Sequence, residues 1–148
     1  MKTKIGIVGL GGVGGYFGGL LANKYYNDSE VDIIFITRPH SVDLIQEKGL
    51  KIITPENEKI VYPSSVYSSS SITESLDVLI VSVKSYDLEE TILDLKNCIT
   101  PDTIILPLLN GVGAKDTILK YYPDNLVLDG CVFIISKIKE RGVIQRIG

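Results

Sequence analysis

Residues 4–14 read KIGIVGLGGVG, and this stretch decides the fold class. The apolar run over residues 4–8 is typical of a strand that is buried on both faces of a parallel sheet. The glycines that follow match the pattern G-x-G-x-x-G and open a helical pattern. In this pattern the first glycine permits a tight turn, the second lets the backbone approach a pyrophosphate, and the third lets the helix pack closely on the sheet. We therefore expect a phosphate-binding turn formed by Gly9, Leu10, Gly11, Gly12, Val13 and Gly14.

Residues 5–22 also carry no charge and follow two lysines, as a signal peptide or a membrane span would. Gly11, Gly15 and Gly19 have the small-residue spacing of packed membrane helices. However, eight of these eighteen residues are glycine, and each glycine costs about 1 kcal/mol relative to alanine inside a helix. The pattern therefore favours a strand, a glycine turn and a helix over a membrane segment.

Predicted strands and helices alternate along the chain. Apolar runs predict strands at residues 4–8, 31–37, 76–83, 103–109 and 126–135. Apolar spacing and capping residues predict helices from residue 13, from Ser41 to about Gly49, from Asp87 with Glu90 as a capping pair, and over residues 113–122. Such alternation implies right-handed crossovers. The expected fold is α/β: a Rossmann-type, doubly wound, mostly parallel sheet with helices on both faces.

Two regions depart from this alternation. Residues 50–53 and 59–62 flank a polar segment and indicate a hairpin or two short edge strands, and the serine run at 68–71 predicts a solvated loop. Near the C terminus a charged turn is expected at residues 137–141 and a returning strand at 143–146. Together with the predicted strand before them, these segments predict a β-hairpin at about 126–147.

Length and composition restrict the class of protein. A chain of 148 residues suffices for one domain with its own core, so residues 1–148 are expected to form a single domain. With 45% apolar and 22% charged residues, a disordered tail, a collagen-like repeat and a coiled coil are excluded. A net charge of −3 without a run of basic residues argues against nucleic acid as the main partner. Cys98 and Cys131 cannot form a disulfide framework and have no metal-ligand spacing, so a cytoplasmic protein without a metal site is expected.

The residue after the second predicted strand indicates which dinucleotide the turn would bind. NAD-binding units of this type end that strand with an acidic residue, which accepts hydrogen bonds from the ribose diol. Here the strand ends Thr37-Arg38-Pro39-His40 and offers no carboxylate. A guanidinium supplies paired donors and a permanent positive charge for a 2′-phosphate. Arg38 therefore favours NADP(H) over NAD(H), whereas His40 is expected to lie at the surface or beside the adenine.

Two more polar residues follow predicted strands. Lys84 comes directly after the strand at 76–83, and Asn110 directly after the strand at 103–109. Ligands of open α/β sheets bind outside the carboxyl ends of the strands, so both residues should face one crevice with the glycine turn. An ammonium there can hold a carboxylate or carbonyl oxygen, and an amide can orient a ribose or a hydroxyl group. An ordinary exposed lysine is an equally good interpretation of Lys84 on position alone.

Taken together, these motifs resemble the ketopantoate reductase (2-dehydropantoate 2-reductase) family over essentially the whole chain. The resemblance is carried by the glycine turn, by Thr37-Arg38-Pro39-His40 running into Lys48-Gly49-Leu50, by Val83-Lys84-Ser85-Tyr86, by Leu109-Asn110-Gly111-Val112-Gly113, and by the segment from Gly130-Cys131 to Gly142-Val143-Ile144. The lysine and asparagine motifs, in order and at suitable separations, are more specific than the glycine turn.

The resemblance implies an NADPH-dependent reduction of a 2-keto acid to a 2-hydroxy acid in pantothenate and coenzyme A synthesis. It also implies that Arg38 holds the 2′-phosphate, that Lys84 and Asn110 support catalysis at the nicotinamide ribose and the substrate edge, and that Ser136 lies near the cofactor. Family members carry a second, helical domain that supplies the proton-donating lysine. Because this sequence stops at Gly148, we expect it to bind cofactor, to be inactive alone, and to self-associate through the apolar face that the second domain would cover.

Two other interpretations stay open at this stage. The chain could be a stand-alone nucleotide-sensing regulatory domain, which would explain its length but not the Lys84 and Asn110 motifs. It could also belong to a related NADP-dependent reductase of another 2-keto acid, because the residues that select the substrate lie mostly outside this sequence.

Overall fold

The computed structural model describes residues 1–109 and 113–148. Strands and helices alternate through most of these residues, as the sequence predicts. In chain order they are β1 (Thr3–Val8), α1 (Gly12–Lys24), β2 (Val31–Thr37), α2 (Pro39–Lys48), β3 (Leu50–Ile53), β4 (Glu58–Val61), β5 (Ser65–Ser68), β6 (Leu76–Val81), a 3₁₀ turn (Ser85–Asp87), α3 (Leu88–Asp94), β7 (Ile99–Pro107), α4 (Ala114–Tyr121), β8 (Ser136–Glu140) and β9 (Val143–Arg146).

The main sheet confirms the predicted Rossmann-type class. Among the described residues its strand order is β5-β2-β1-β6-β7, and every neighbouring pair is parallel. Strands β2 and β5 lie on one side of β1, and the chain then crosses back so that β6 and β7 lie on its other side. This reversal opens a crevice at the carboxyl ends of β1 and β6, where open α/β sheets bind their ligands.

Side chains of the central strands point alternately into two hydrophobic cores, one on each face of the main sheet. On one face, Val8 and Ile36 pack with buried residues of α3 and α4. On the other, Ile7 and Phe35 pack with α1, α2 and the second sheet. Because both faces are covered, the strands are nearly continuous apolar runs, as expected of a buried parallel sheet.

Helix α1 lies between the main sheet and a second sheet, and its glycines allow both to approach. A Cβ on Gly18 would lie 3.3 Å from Ile7 of the main sheet. On the other side, a Cβ on Gly15 would lie 2.6 Å from Ile144 of β9, and one on Gly19 would collide with Ile52 of β3. The glycine spacing that resembles a membrane helix is therefore explained by the close packing of two sheets against one short helix. No helix in the described part of the chain is both long and apolar enough to span a bilayer.

The second sheet has the order β4-β3-β9-β8 among the described residues. The hairpin predicted around residues 54–58 is confirmed, because β3 and β4 pair antiparallel. β9 then joins β3 in parallel and pairs antiparallel with β8. Two segments that are far apart in the sequence, residues 50–61 and 136–146, thus cover the outer side of α1.

The C-terminal prediction differs from the structure in two places. Residues 126–135 do not form the predicted strand, because Val127 makes only a single bridge to Ile105 of β7. Further along the run, Phe133 is 95% exposed. Residues 137–140 are not part of a turn, because Ser136–Glu140 is strand β8, and only Arg141 of the predicted turn lies in one. The tight turn falls at Gly142, whose φ of +79° suits glycine. The hairpin is therefore β8–β9, within the expected range but shorter.

Two further boundaries were predicted wrongly. Helix α2 begins at Pro39 with Arg38 at the N-cap, not at Ser41, because the fixed φ of proline suits the first helical position. The serine run was expected to be a solvated loop, and residues 69–71 do form a turn, but the first member, Ser68, ends strand β5 and is buried. Its backbone N–H and its hydroxyl both hydrogen-bond to the Ser71 hydroxyl, at 3.0 Å in each case.

A polar cluster joins the main sheet to the segment that precedes β6. The ammonium group of Lys4 donates to Glu74 at 2.8 Å, and the Tyr67 hydroxyl donates to the other carboxylate oxygen at 2.7 Å. The hydrogen bonds from Lys4 and Tyr67 lower the pKa of Glu74. The same bonds to Glu74 raise the pKa of Lys4 and of Tyr67. Ionised Glu74 is thus favoured in the folded state.

We predict that Glu74→Gln lowers the free energy of unfolding at pH 7 by about 1 kcal/mol, because this cluster is partly exposed and solvent screens it. Since folding lowers the pKa of Glu74, its contribution is present above the ordinary carboxyl pKa and is lost as pH falls through the folded-state value. Urea denaturation of both proteins at pH 7 and pH 4 should show the difference shrinking at the lower pH. Glu58→Gln, which removes the more exposed pair with Lys51, is the control and should change stability by less than about 0.5 kcal/mol. A difference that is equal at both pH values would contradict the assignment.

Candidate functional site: a cleft at the carboxyl edge of the main sheet

The glycine turn after β1 lies where the strand order reverses. Gly9 has a φ of +90°, and a Cβ there would lie 2.8 Å from the carbonyl carbon and oxygen of Ser82, just beyond β6. Its N–H donates to the carbonyl oxygen of Ile36 at 3.2 Å. A Cβ on Gly14 would collide with the carbonyl oxygen of Gly9. Backbone packing therefore requires glycine at both positions.

Gly11 has different surroundings, because a Cβ there would meet nothing within 4 Å. It is the N-cap of α1, and the N–H of Gly15 donates to its carbonyl oxygen at 2.8 Å. The N–H groups of residues 11–14 precede Gly15, the first residue whose N–H donates within the helix, so the helix itself leaves them unpaired. The first turn of α1 contains no acidic residue. This helix end can therefore accept an anion at close range.

Arg38 stands directly after β2 at the mouth of the same crevice. It occupies the N-cap position of α2, and its side chain is 75% exposed. Its guanidinium lies 3.5 Å from a carboxylate oxygen of Asp87. The cation predicted from sequence is thus at the edge of the cleft, already paired with an acidic residue from the turn after β6.

Of the other predicted site residues, only Lys84 is found in the lining of the cleft among the described residues. Lys84 lines the cleft, is exposed, and precedes the 3₁₀ turn that carries Asp87. Asn110 lies outside the described residues, although Leu109 before it lines the cleft. Ser136 is not among the lining residues: its carbonyl oxygen packs against Gly12, and its hydroxyl is buried without a hydrogen-bond partner among the described residues.

These elements enclose an open cleft of about 900 Å³. Its floor is the glycine turn, one wall is the start of α2 with Arg38 and His40, and the opposite wall is the 3₁₀ turn with α3. Arg141, from the turn between β8 and β9, also lines it. Sequence reasoning missed Arg141 because nothing in the pattern showed that the second sheet reaches this edge.

The wall opposite Arg38 is acidic, which the sequence analysis did not anticipate. Asp87, Glu90 and Asp94 all line the cleft. Their spacing of three and then four residues places them on one helical face, and this signal is visible in the sequence. Asp87 and Glu90 were instead interpreted as a helix-capping pair. Asp87 does occupy the N-cap position of α3, but its side chain makes no capping hydrogen bond.

The residues present fit a dinucleotide. The open space at Gly11 admits a pyrophosphate to the backbone N–H groups, and Arg38 stands at the mouth of the same cleft. The cleft volume is within the range of pockets that hold such ligands. Among the described residues, no group of three or more His, Cys, Asp or Glu side chains could hold a metal ion. The fold and the cleft together define a nucleotide-binding domain of the Rossmann class.

Comparison with known proteins places the chain within that class. The family model described as "Ketopantoate reductase PanE/ApbA" matches residues 5–148. The chain therefore belongs to the ketopantoate reductase family.

Individual relatives agree with this placement. A 2-dehydropantoate 2-reductase of Pyrococcus abyssi is 32% identical over 80% of this chain and 36% of its own length. The structure of 2-dehydropantoate 2-reductase from Porphyromonas gingivalis W83 matches 99% of this chain and 52% of its own, with a TM-score of 0.91 and 32% identity. A ternary structure of D-mandelate dehydrogenase with NADH and anilino(oxo)acetate matches 99% of this chain and 46% of its own, with a TM-score of 0.86 and 26% identity. The chain spans less than half the length of the curated relatives that it matches.

We predict that Gly11→Ala and Gly14→Ala separate ligand binding from folding. The new Cβ at position 11 enters the cleft, so the melting temperature should stay within about 2 °C of the wild type while the Kd for a nicotinamide dinucleotide rises about tenfold. At position 14 the Cβ collides with backbone, which should cost about 3 kcal/mol and lower the melting temperature by about 10 °C. Thermal denaturation and fluorescence titration measure both effects. Equal effects of the two variants on stability would contradict the geometry.

Proposed function

We propose that this chain binds NADP(H) in the cleft and is the coenzyme-binding part of a 2-dehydropantoate 2-reductase, which reduces ketopantoate to pantoate in pantothenate and coenzyme A synthesis. One observation carries the choice of coenzyme: Arg38, and no acidic residue, follows β2 at the cleft that the N terminus of α1 faces. Membership of the family and the names of its relatives support the reaction class.

The glycine turn and Arg38 have separate tasks in this proposal. The N–H groups of residues 11–14 hold the pyrophosphate, because they are unpaired within the helix and the helix dipole adds positive potential. Arg38 holds the 2′-phosphate with its paired donors. When bound, the coenzyme supplies the hydride for reduction of a keto group.

Lys84 is the described residue that we assign to the substrate edge. It follows β6 on the cleft side, and the described residues show no ion pair that neutralises its ammonium group. A free ammonium can hold the carboxylate or polarise the keto oxygen of a 2-keto acid. Asn110, which lies outside the described residues, is proposed to share this task at the nicotinamide ribose. Ser136 is proposed to act indirectly, because it packs behind the turn at Gly12.

A second candidate is the reduction of another 2-keto acid. It is favoured by the similarity to D-mandelate dehydrogenase, whose structure holds NADH and anilino(oxo)acetate. Steady-state assays of the full protein with ketopantoate and with an aromatic 2-keto acid distinguish the two. We expect kcat/KM to be higher for ketopantoate. A higher value for the aromatic acid would favour the second candidate over the first.

We predict that the chain binds NADPH about tenfold more tightly than NADH, and that Arg38→Asp removes this preference, because a carboxylate repels the 2′-phosphate that a guanidinium attracts. Fluorescence titration of both variants with both coenzymes gives the ratio of Kd values. Lys48→Asp, an equal change of charge on the last turn of α2 outside the cleft lining, should leave the ratio within about twofold. Unchanged discrimination in Arg38→Asp would remove Arg38 from the site.

Self-association is also part of the proposal. Ile135, which is 64% exposed, lies beside the exposed Ile147, since the N–H of Ile147 donates to the carbonyl oxygen of Ile135 at 2.7 Å. Phe133, which is 95% exposed, is two residues before Ile135 in the chain. Exposed apolar clusters of this kind mark association surfaces. We predict a concentration-dependent mass above 16.2 kDa in sedimentation equilibrium and a monomer for Phe133→Ser. A wild-type chain that stays monomeric at all concentrations would contradict the self-association.

A further inference from the structure

The ion pair between Arg38 and Asp87 joins the two walls of the cleft at its adenosine end. The guanidinium and carboxylate are 3.5 Å apart, and their side chains are 75% and 31% exposed. The guanidinium of Arg38 is therefore already paired with a carboxylate, and a ligand that binds to Arg38 would lie close to Asp87. Glu90 and Asp94 extend the same negative wall along α3.

A carboxylate at this place acts in opposite directions on the two coenzymes. The 2′-phosphate of NADPH would enter the field of Asp87 and lose part of the attraction of Arg38, because the carboxylate offsets the positive charge. The free ribose diol of NADH carries no charge and offers two hydroxyl donors, which a carboxylate accepts. The carboxylate that is missing after β2 is thus supplied from the turn after β6.

We propose that Asp87 is a specificity-determining residue that weakens the discrimination of Arg38 between NADPH and NADH, so that the chain accepts both coenzymes. This inference rests on the proposed binding of a nicotinamide coenzyme in the cleft. In this proposal Asp87 offsets the positive charge of the Arg38 guanidinium and accepts hydrogen bonds from the ribose hydroxyl groups.

Asp87 can be changed without loss of a known structural contact. Its side chain makes no capping hydrogen bond to α3, and its described ion pair is the one with Arg38. Asp87→Asn keeps the size of the side chain and removes only the charge. Asp87→Ser is a second neutral variant, for use if the asparagine variant melts more than about 5 °C below the wild type.

The test is the ratio of the Kd values for NADH and NADPH, measured by fluorescence titration of the full chain. We expect the preference for NADPH to rise about tenfold in Asp87→Asn, equivalent to about 1.4 kcal/mol. The rise should shrink in 0.5 M salt, because an exposed pair is screened. Asp102→Asn makes the same change of net charge near the start of β7, away from the carboxyl edge, and should alter the ratio less than twofold.

The possible results separate this inference from the proposed function. An unchanged or lower preference in both Asp87 variants, in a protein that binds NADPH through Arg38, overturns the role of Asp87 and leaves the proposed function in place. An equal rise in Asp102→Asn also overturns it, because net charge alone would then explain the effect. A wild-type chain that binds neither coenzyme overturns both.

Discussion

The close packing of α1 between two sheets determines the geometry of the cleft. The helix can approach both sheets because glycines face each of them, at Gly18 towards β1 and at Gly15 and Gly19 towards β9 and β3. The same packing brings the start of the helix against the turn after β1, where Gly14 touches the carbonyl oxygen of Gly9. The unpaired N–H groups at the start of the helix therefore lie at the reversal of strand order, and their position is a consequence of how the helix is packed.

The charges around this helix end are arranged asymmetrically. The floor of the cleft offers backbone donors and no acidic side chain in the first turn of α1. At its mouth, Arg38 faces a wall that carries Asp87, Glu90 and Asp94. A pyrophosphate on the floor meets only favourable partners, whereas a group bound at the mouth meets a cation and a carboxylate together. Under the proposed function, affinity for a dinucleotide and choice between dinucleotides would therefore depend on different residues.

The parts of the fold that depend on local pattern could be predicted from the sequence, and those that depend on distant packing could not. The strand at residues 31–37 and the turn after β1 follow from apolar runs and glycine spacing. By contrast, β5 is serine-rich and exists because β2 offers it an edge to pair with, and β8 pairs with β9, which continues the sheet begun by β3. In the cleft, Arg38 and Lys84 were found because they follow strands, whereas Arg141 comes from a second sheet whose position no local pattern reveals. Asp87 was recognised as a helix start, but its pairing with Arg38 depends on the approach of two distant elements. Asn110 and the roles of all these residues stay predictions.

A crystal structure of the chain with NADPH tests the central claim most directly. We expect density for the pyrophosphate within hydrogen-bond distance of the N–H groups at residues 11–14, with the 2′-phosphate against the guanidinium of Arg38. Coenzyme bound elsewhere, or bound in the cleft with Arg38 turned into solvent, would contradict it.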